Sequence, residues 1–149
     1  MANNLYDKGR EAFLRGQINW LTDVIKVALI GLPPGSNANP YIAKTSGTDS
    51  HQFLSSIPSE NILAIQTLVR VLDSAAPRND AENGVANAND VTFTGVSGSI
   101  SAIVVYKDTG SVNSSTLIAF MDDINGSHYV ANNETITIKW DPTTKIFKL

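Results

Sequence analysis

Between Asp90 and Leu149, short apolar segments alternate with turn signals almost to the last residue. Val91 to Thr94, Ile100 to Tyr106, Leu117 to Met121, Ile136 to Trp140 and Ile146 to Leu149 each have the length and the β-branched or aromatic content of a strand. Gly, Asp, Asn and Pro separate them. Near the end, Ile136, Ile138 and Trp140 alternate with Thr135, Thr137 and Lys139, which describes a sheet with one wet face. Asp141-Pro142-Thr143-Thr144 then turns the chain, and Lys145 to Leu149 is predicted to return as the antiparallel partner of that strand. Ile100 to Tyr106 carries Ala102, Ile103, Val104 and Val105 without a break, as a strand covered on both faces does. It is therefore predicted to be central, and the last hairpin nearer an edge.

The first half is less regular. A short helix is predicted from about Leu5 to Arg15, capped by Asn4, with Asp7 in its first turn and Gly16 at the usual place of a left-handed C-cap. Leu5, Ala12 and Phe13 share one face with Gly9 between them. Glycine inside a helix costs about 1 kcal/mol relative to Ala; simple tolerance is the favoured reading, and close approach of another backbone the alternative. Val24 to Ile30 reads as a strand whose one charge, Lys26, belongs at an edge or reaches toward solvent. From Gly31 to Ser50 the pattern vanishes, and Pro33, Pro34 and Pro40 rule out helix interior. Asp49 to Ile57 reads as one or two helical turns capped by Asp49 or Ser50 and stopped by Pro58. Asn61 to Asp73 fits a helical stripe and a strand face equally well. Ala75 to Asn89 reads as a loop with an Asn83-Gly84 turn.

The 149 residues suit one domain: α+β, mainly β, an antiparallel sandwich or barrel-like sheet with a short N-terminal helix and an irregular Pro/Asn-rich arm or loop at about 31–50. Charged residues make up 17%, below the usual quarter or so, with Ser, Thr and Asn in their place. A net charge of -3 and scattered Lys and Arg argue against nucleic acid as a partner. No apolar run approaches the ~20 residues of a membrane span, and Met1 to Lys8 lacks the pattern of a signal peptide. The chain has no cysteine, which excludes disulfides and thiolate metal sites.

Little else invites chemistry. His51 and His128 each lack a second ligand at metal spacing and read as solvated loop residues. Asp122 and Asp123 point to opposite faces of a strand end, so they do not form an acid–base dyad. With Asn125 they supply oxygen ligands but no full calcium-loop spacing. Asp108-Thr109-Gly110 has the look of half an aspartic-protease signature, yet it follows a strand and is ordinary turn chemistry. No nucleophile elbow, phosphate loop or dinucleotide fingerprint occurs. The residues thus point to no enzyme, no cofactor and no metal.

Several segments together resemble a family of small tailed-bacteriophage virion proteins. They are Leu5 to Leu14 with Ile18-Asn19-Trp20-Leu21 and Ile25-Lys26-Val27; His51 to Pro58; Asn89 to Thr94 with Ser97-Gly98; Ile103 to Gly110; and Trp140-Asp141 with Ile146 to Leu149. They span most of the chain in order. This sequence departs from the family pattern in a longer Pro-rich stretch between Gly31 and Ser50 and a more apolar Ile62 to Leu72. The resemblance implies a virion structural component with no catalytic residues to transfer, and it tips Ile62 to Leu72 toward extended structure. It further implies a capsid cement or decoration protein that contacts other virion proteins, the major capsid protein first among them, as a homo-oligomer. A tail or head-to-tail connector component and a host-surface carbohydrate-binding module are the alternatives. Within the irregular stretch, Tyr41 and Ile42 are read first as folding back onto their own core; on the cement reading the arm instead lies on a neighbour, with Pro33, Pro34, Asn39, Tyr41 and Ile42 as the expected contact residues.

Overall fold

The computed structural model describes residues 4–32, 51–69, 84–122, 129–140 and 146–149. One strand organises them. β5, Val91–Lys107, runs for 17 residues, roughly 56 Å if straight, against a diameter of ~40 Å for a compact domain of this size. It must bend, and register shifts along it permit the bend. Its register against β7, Tyr129–Ile138, shifts between Phe93 and Val96 and again between Val96 and Gly98. Gly95 (φ 65°) and Gly98 (φ 121°) take up the left-handed conformations that these bulges require. The third shift, against β2 (Ile25–Gly31), skips Ser101, whose hydroxyl donates to the Ile30 carbonyl at 3.1 Å and so fills the gap.

The segments Val91 to Thr94 and Ile100 to Tyr106, predicted as separate strands, are therefore the two ends of one. Gly95 and Gly98 mark bulges rather than a turn. Ile100 pairs with Gly31 on one side and Tyr129 on the other, so β7 lies on the edge opposite β2. β6, Leu117–Met121, pairs with Ile103 to Tyr106 on that same edge, and β6 and β7 line it end to end. β3, Ile62–Thr67, flanks β2 on its far side, and β1, Asn4–Leu5, adds to β6. All pairings are antiparallel, and the result is a curled sheet of half-barrel form with one short helix.

Both faces of this sheet are buried along β2, β6 and the second half of β5, whereas the outer face of β7 and of the first half of β5 is exposed. Along β2, Ile25, Val27 and Leu29 enter one core, while Ala28 and Ile30 enter the other. The first core holds Phe93, Val105 and Ile118 beneath α1, Asp7–Leu14. The second holds Tyr6, Val104, Tyr106 and Phe120 beneath Leu54 and Ile57, which lie in and just after a 3₁₀ turn at Leu54–Ser56. A further 3₁₀ turn at Ser59–Asn61 leads into β3. The expected helical turns before Pro58 are thus one 3₁₀ turn after Phe53; Asp49 and Ser50 lie outside the described residues.

Several sequence expectations are met and several corrected. Strand β5 is central, Ile62 to Thr67 is extended, and Gly16 has φ 70°. Helix α1 starts two residues later than predicted, because Asn4 and Leu5 pair with Phe120 and Ala119; Tyr6 is the N-cap and makes no side-chain cap bond. Gly9 is required rather than tolerated: a Cβ there would lie 2.7 Å from the Leu117 carbonyl oxygen. Lys26 is not on an edge strand. It reaches along the sheet to Asp108, 2.7 Å away. The C-terminal strand β8, Phe147–Lys148, does not form a hairpin with β7. It pairs with β4, Val85–Ala86, within the stretch read as loop.

Candidate interaction surface

Beyond the two cores, the sheet presents an outer face on β7 and the start of β5, and its edges. β3 is paired only by β2, and β7 only by β5, so among the described residues no strand occupies the outer edge of either. An open edge is a template for another chain, and proteins commonly blunt one with Lys, Pro or a bulge that turns it away. The sequence of β3 is Ile-Leu-Ala-Ile-Gln-Thr, with no charged residue and no proline. The ten residues of β7 carry one charge, Glu134. Its carboxylate accepts a hydrogen bond from the Tyr129 hydroxyl on the same strand, and that acceptor raises the Tyr129 pKa above the ordinary phenol value.

Local backbone explains how β7 is held. Asn133 adopts φ 50°, the one non-glycine residue with positive φ among those described, a conformation Asn tolerates better than most residues. Its N–H donates to the Ser97 hydroxyl at 2.9 Å, which locks the bulge of β7 onto that of β5. Thr92 and Thr137, directly paired, hydrogen-bond through their hydroxyls at 3.2 Å on the outer face. Val130 is 72% exposed and Tyr129 46%, so the start of β7 combines free apolar surface with an open edge. Sequence reading missed this part of the strand because Asn132-Asn133 has the composition of a turn; Tyr129-Val130-Ala131 was the available signal.

The residues expected to make the contact by the arm, Pro33, Pro34, Asn39, Tyr41 and Ile42, all lie outside the described residues, as do Asp123, Asn125 and His128. His51 is half-buried with its ring edge-on to Tyr6 at 6.5 Å between centroids, which corrects its reading as a solvated loop residue. Tyr6 is fully buried, and burial pushes its hydroxyl pKa far up. Tyr106 is raised to about 12, by burial first and then by the Asp108 charge.

Asp108 closes a turn. Its carboxylate accepts from Lys26 and from the Gly110 N–H at 3.1 Å; the Lys26 bond foremost holds its pKa below the ordinary value. Thr109, Ser111, Ser114 and Ser115 bond to one another in the loop that follows. Between that loop, the end of α1 and residues 52–53 lies a shallow cleft of ≈ 280 Å³, walled by Gln17, Gln52, Phe53, Lys107, Thr109 and Thr116. None of the residues lining it is a carboxylate or imidazole. The Lys107 ammonium donates to the Gln17 carbonyl at 2.7 Å and lies 3.1 Å from Asp23, so it ties the 17–23 loop to the sheet. Among the described residues no group of three or more His, Cys, Asp or Glu could hold a metal, and no helix is long and apolar enough to cross a membrane.

Neither any protein-family profile nor any curated protein matches this chain.

Proposed function

We propose that this chain is a non-enzymatic structural component of a bacteriophage virion, a cement or decoration protein that bridges capsomers by binding the major capsid protein. The resemblance of its segments to small tailed-phage virion proteins supplies the setting. The observation that carries the mode of action is the pair of open, nearly uncharged sheet edges, β3 and β7. Backbone N–H and C=O groups along such an edge offer a neighbour main-chain hydrogen bonds without requiring a particular side chain. Contacts of that kind, weak singly, add up when symmetry repeats them over a shell. The Pro33 to Ile42 stretch is the second proposed contact, and a homo-oligomer is the proposed form.

Quantitative gel densitometry of purified particles tests the reading. Cement proteins are present at hundreds of copies per particle, whereas a dozen or fewer places the chain in the tail or connector. Absence from washed particles refutes the virion assignment altogether.

A further inference from the structure

The cleft at the end of α1 gathers polar side chains from distant parts of the chain. Gln17 comes from the turn after the helix, Gln52 and Phe53 from the segment beside β6, Lys107 from the end of β5, and Thr109 and Thr116 from the loop between β5 and β6. Backbone hydrogen bonds fix these positions. The Gln17 N–H donates to the Ala12 carbonyl at 2.8 Å, the Leu117 N–H to the Gln52 carbonyl at 2.9 Å and the Lys107 N–H to the Thr116 carbonyl at 2.9 Å. Phe53 forms an isolated bridge with Thr116. Among the described residues the Gln17 and Gln52 amides and the Thr116 hydroxyl make no side-chain hydrogen bond. Donors and acceptors of both kinds are thus open to a ligand on a preformed wall.

Charge and size choose the ligand. The one ionised group on the lining, the Lys107 ammonium, is already matched by the Gln17 carbonyl at 2.7 Å and the Asp23 carboxylate at 3.1 Å. The cleft therefore offers no unpaired positive charge to a phosphate and no carboxylate to a cation. What remains is amides and hydroxyls beside the half-buried Phe53 ring. An amide can donate to one hydroxyl and accept from its neighbour, and an aromatic ring takes the apolar C–H face of a sugar. The volume of ≈ 280 Å³ stands at the foot of the ~300–1,000 Å³ range of small-molecule sites, room for one ring rather than a chain of them. We propose that this cleft binds a single neutral hexopyranose unit of a glycan. Glycoside cleavage uses a pair of carboxyl groups flanking the bond, and the lining has none, so the sugar is held and not cut. A ligand of about a dozen non-hydrogen atoms on so open a site binds with a Kd of ~mM, which many copies side by side multiply through avidity. The cleft uses no residue of β3 or β7, and the inference does not depend on the virion assignment.

Amide NMR of the isotope-labelled full-length chain tests this, with the methyl glycosides of glucose, galactose, mannose and N-acetylglucosamine as probes. Taken to about 50 mM, well above a Kd of ~mM, at least one should give saturable shifts in the side-chain amide signals of Gln17 and Gln52 and the backbone amide of Phe53. Gln17→Ala and Gln52→Ala change exposed residues, and the amide spectrum of each variant reports its fold directly. Each should weaken binding about fivefold, the worth of one neutral hydrogen bond. Leu14→Ala, exposed on α1 and outside the lining, should leave Kd unchanged. Sorbitol, an open-chain polyol, should give no saturable shift at these signals. Absence of saturation with all the glycosides, equal shifts with sorbitol, or binding that both glutamine variants retain in full overturns the proposal.

Discussion

Replacing Gly9 with Ala would ordinarily stabilise a protein. In a helix interior the change is worth about 1 kcal/mol in favour of Ala, and Gly9 lies in the first turn of α1, three residues after the N-cap Tyr6, where the gain is at most that. Here the sign should reverse. A Cβ at this position would sit 2.7 Å from the Leu117 carbonyl oxygen, 3.0 Å from the Ile118 Cα and 3.1 Å from the Ile118 carbonyl oxygen. All three are backbone atoms of β6, which is held in the sheet by β5 on one side and β1 on the other, so no side chain can swing aside. The helix must lift by several tenths of an ångström. That lift loosens Ala12 in the first core and Tyr6, whose N–H donates to the Ile118 carbonyl at 2.9 Å. Overpacking of this kind costs about 1–3 kcal/mol. A contact of 2.7 Å to backbone belongs in the upper part of that range, about 2–3 kcal/mol, so against the helix gain Gly9→Ala should lose about 1–2 kcal/mol, a fall in Tm of roughly 2–8 °C for a domain of this length. Calorimetry and urea unfolding measure it, with Leu14→Ala, at a position 90% exposed on the same helix, expected within about 0.5 kcal/mol of the parent. Amide exchange at Tyr6 should also quicken. A Gly9→Ala variant as stable as the parent, or more so, would refute the close contact between α1 and β6.

Gly98→Ala should cost about 1–3 kcal/mol in urea unfolding: φ 121° suits few side chains, and a Cβ would meet Leu63 Cδ2 at 3.1 Å. Asp108→Asn should lose roughly 0.5 kcal/mol at pH 7, since the pair with Lys26 is about a quarter exposed and partly screened. Because the folded-state pKa of Asp108 lies below its unfolded value, that stability is present above the unfolded pKa of ~4 and is lost as pH falls through the folded one. Urea titrations should therefore show parent and variant converging in acid; an unchanged gap at the lowest pH would contradict the assignment. Val130→Lys should leave Tm within about 1 °C, because the residue is 72% exposed. It should nonetheless reduce occupancy on particles by several-fold in a co-sedimentation assay, and full occupancy would remove β7 from the interface.

Much of the fold was legible because it rests on local pattern. The unbroken apolar run from Ala102 to Val105 announced a strand buried on both faces, and Asp108-Thr109-Gly110 announced its end. What was not legible depends on distant pairing. Gly95, Ser97 and Gly98 have the composition of a turn, and so do Asn132 and Asn133. A bulge uses the same residues for the same reason, their tolerance of positive φ, and only the pairing of β5 with β7 decides between the two. The partner of Phe147 was equally hidden. A local hairpin with β7 satisfied the sequence, whereas the aromatic slot between Phe13 and Trp20 is assembled from the other end of the chain. Gly9 was ambiguous for a related reason, since nothing near it in sequence reveals that β6 lies beneath the helix. The expected arm contacts, Pro33 to Ile42, fall outside the described residues; the edges that carry the proposal were visible only once strand order was known.

Strand order also gives meaning to the sparse charge. Ion pairs of the described residues include Lys8 and Arg15 with Glu11, Arg10 with Asp7, Lys26 with Asp108 and Lys107 with Asp23. All belong to α1, to the 17–23 loop or to the ends of β2 and β5 that adjoin it. β3 carries no charge, and β7 only Glu134. Were solubility alone at stake, the edges would be where charge helps most, because an unguarded edge pairs with whatever strand it meets. Among the described residues no strand pairs with either edge, and little charge guards them. Such a chain, its two cores set apart from its outer strands, separates folding from association. Substitutions in either core must alter both, whereas substitutions along an edge should weaken assembly at nearly constant stability.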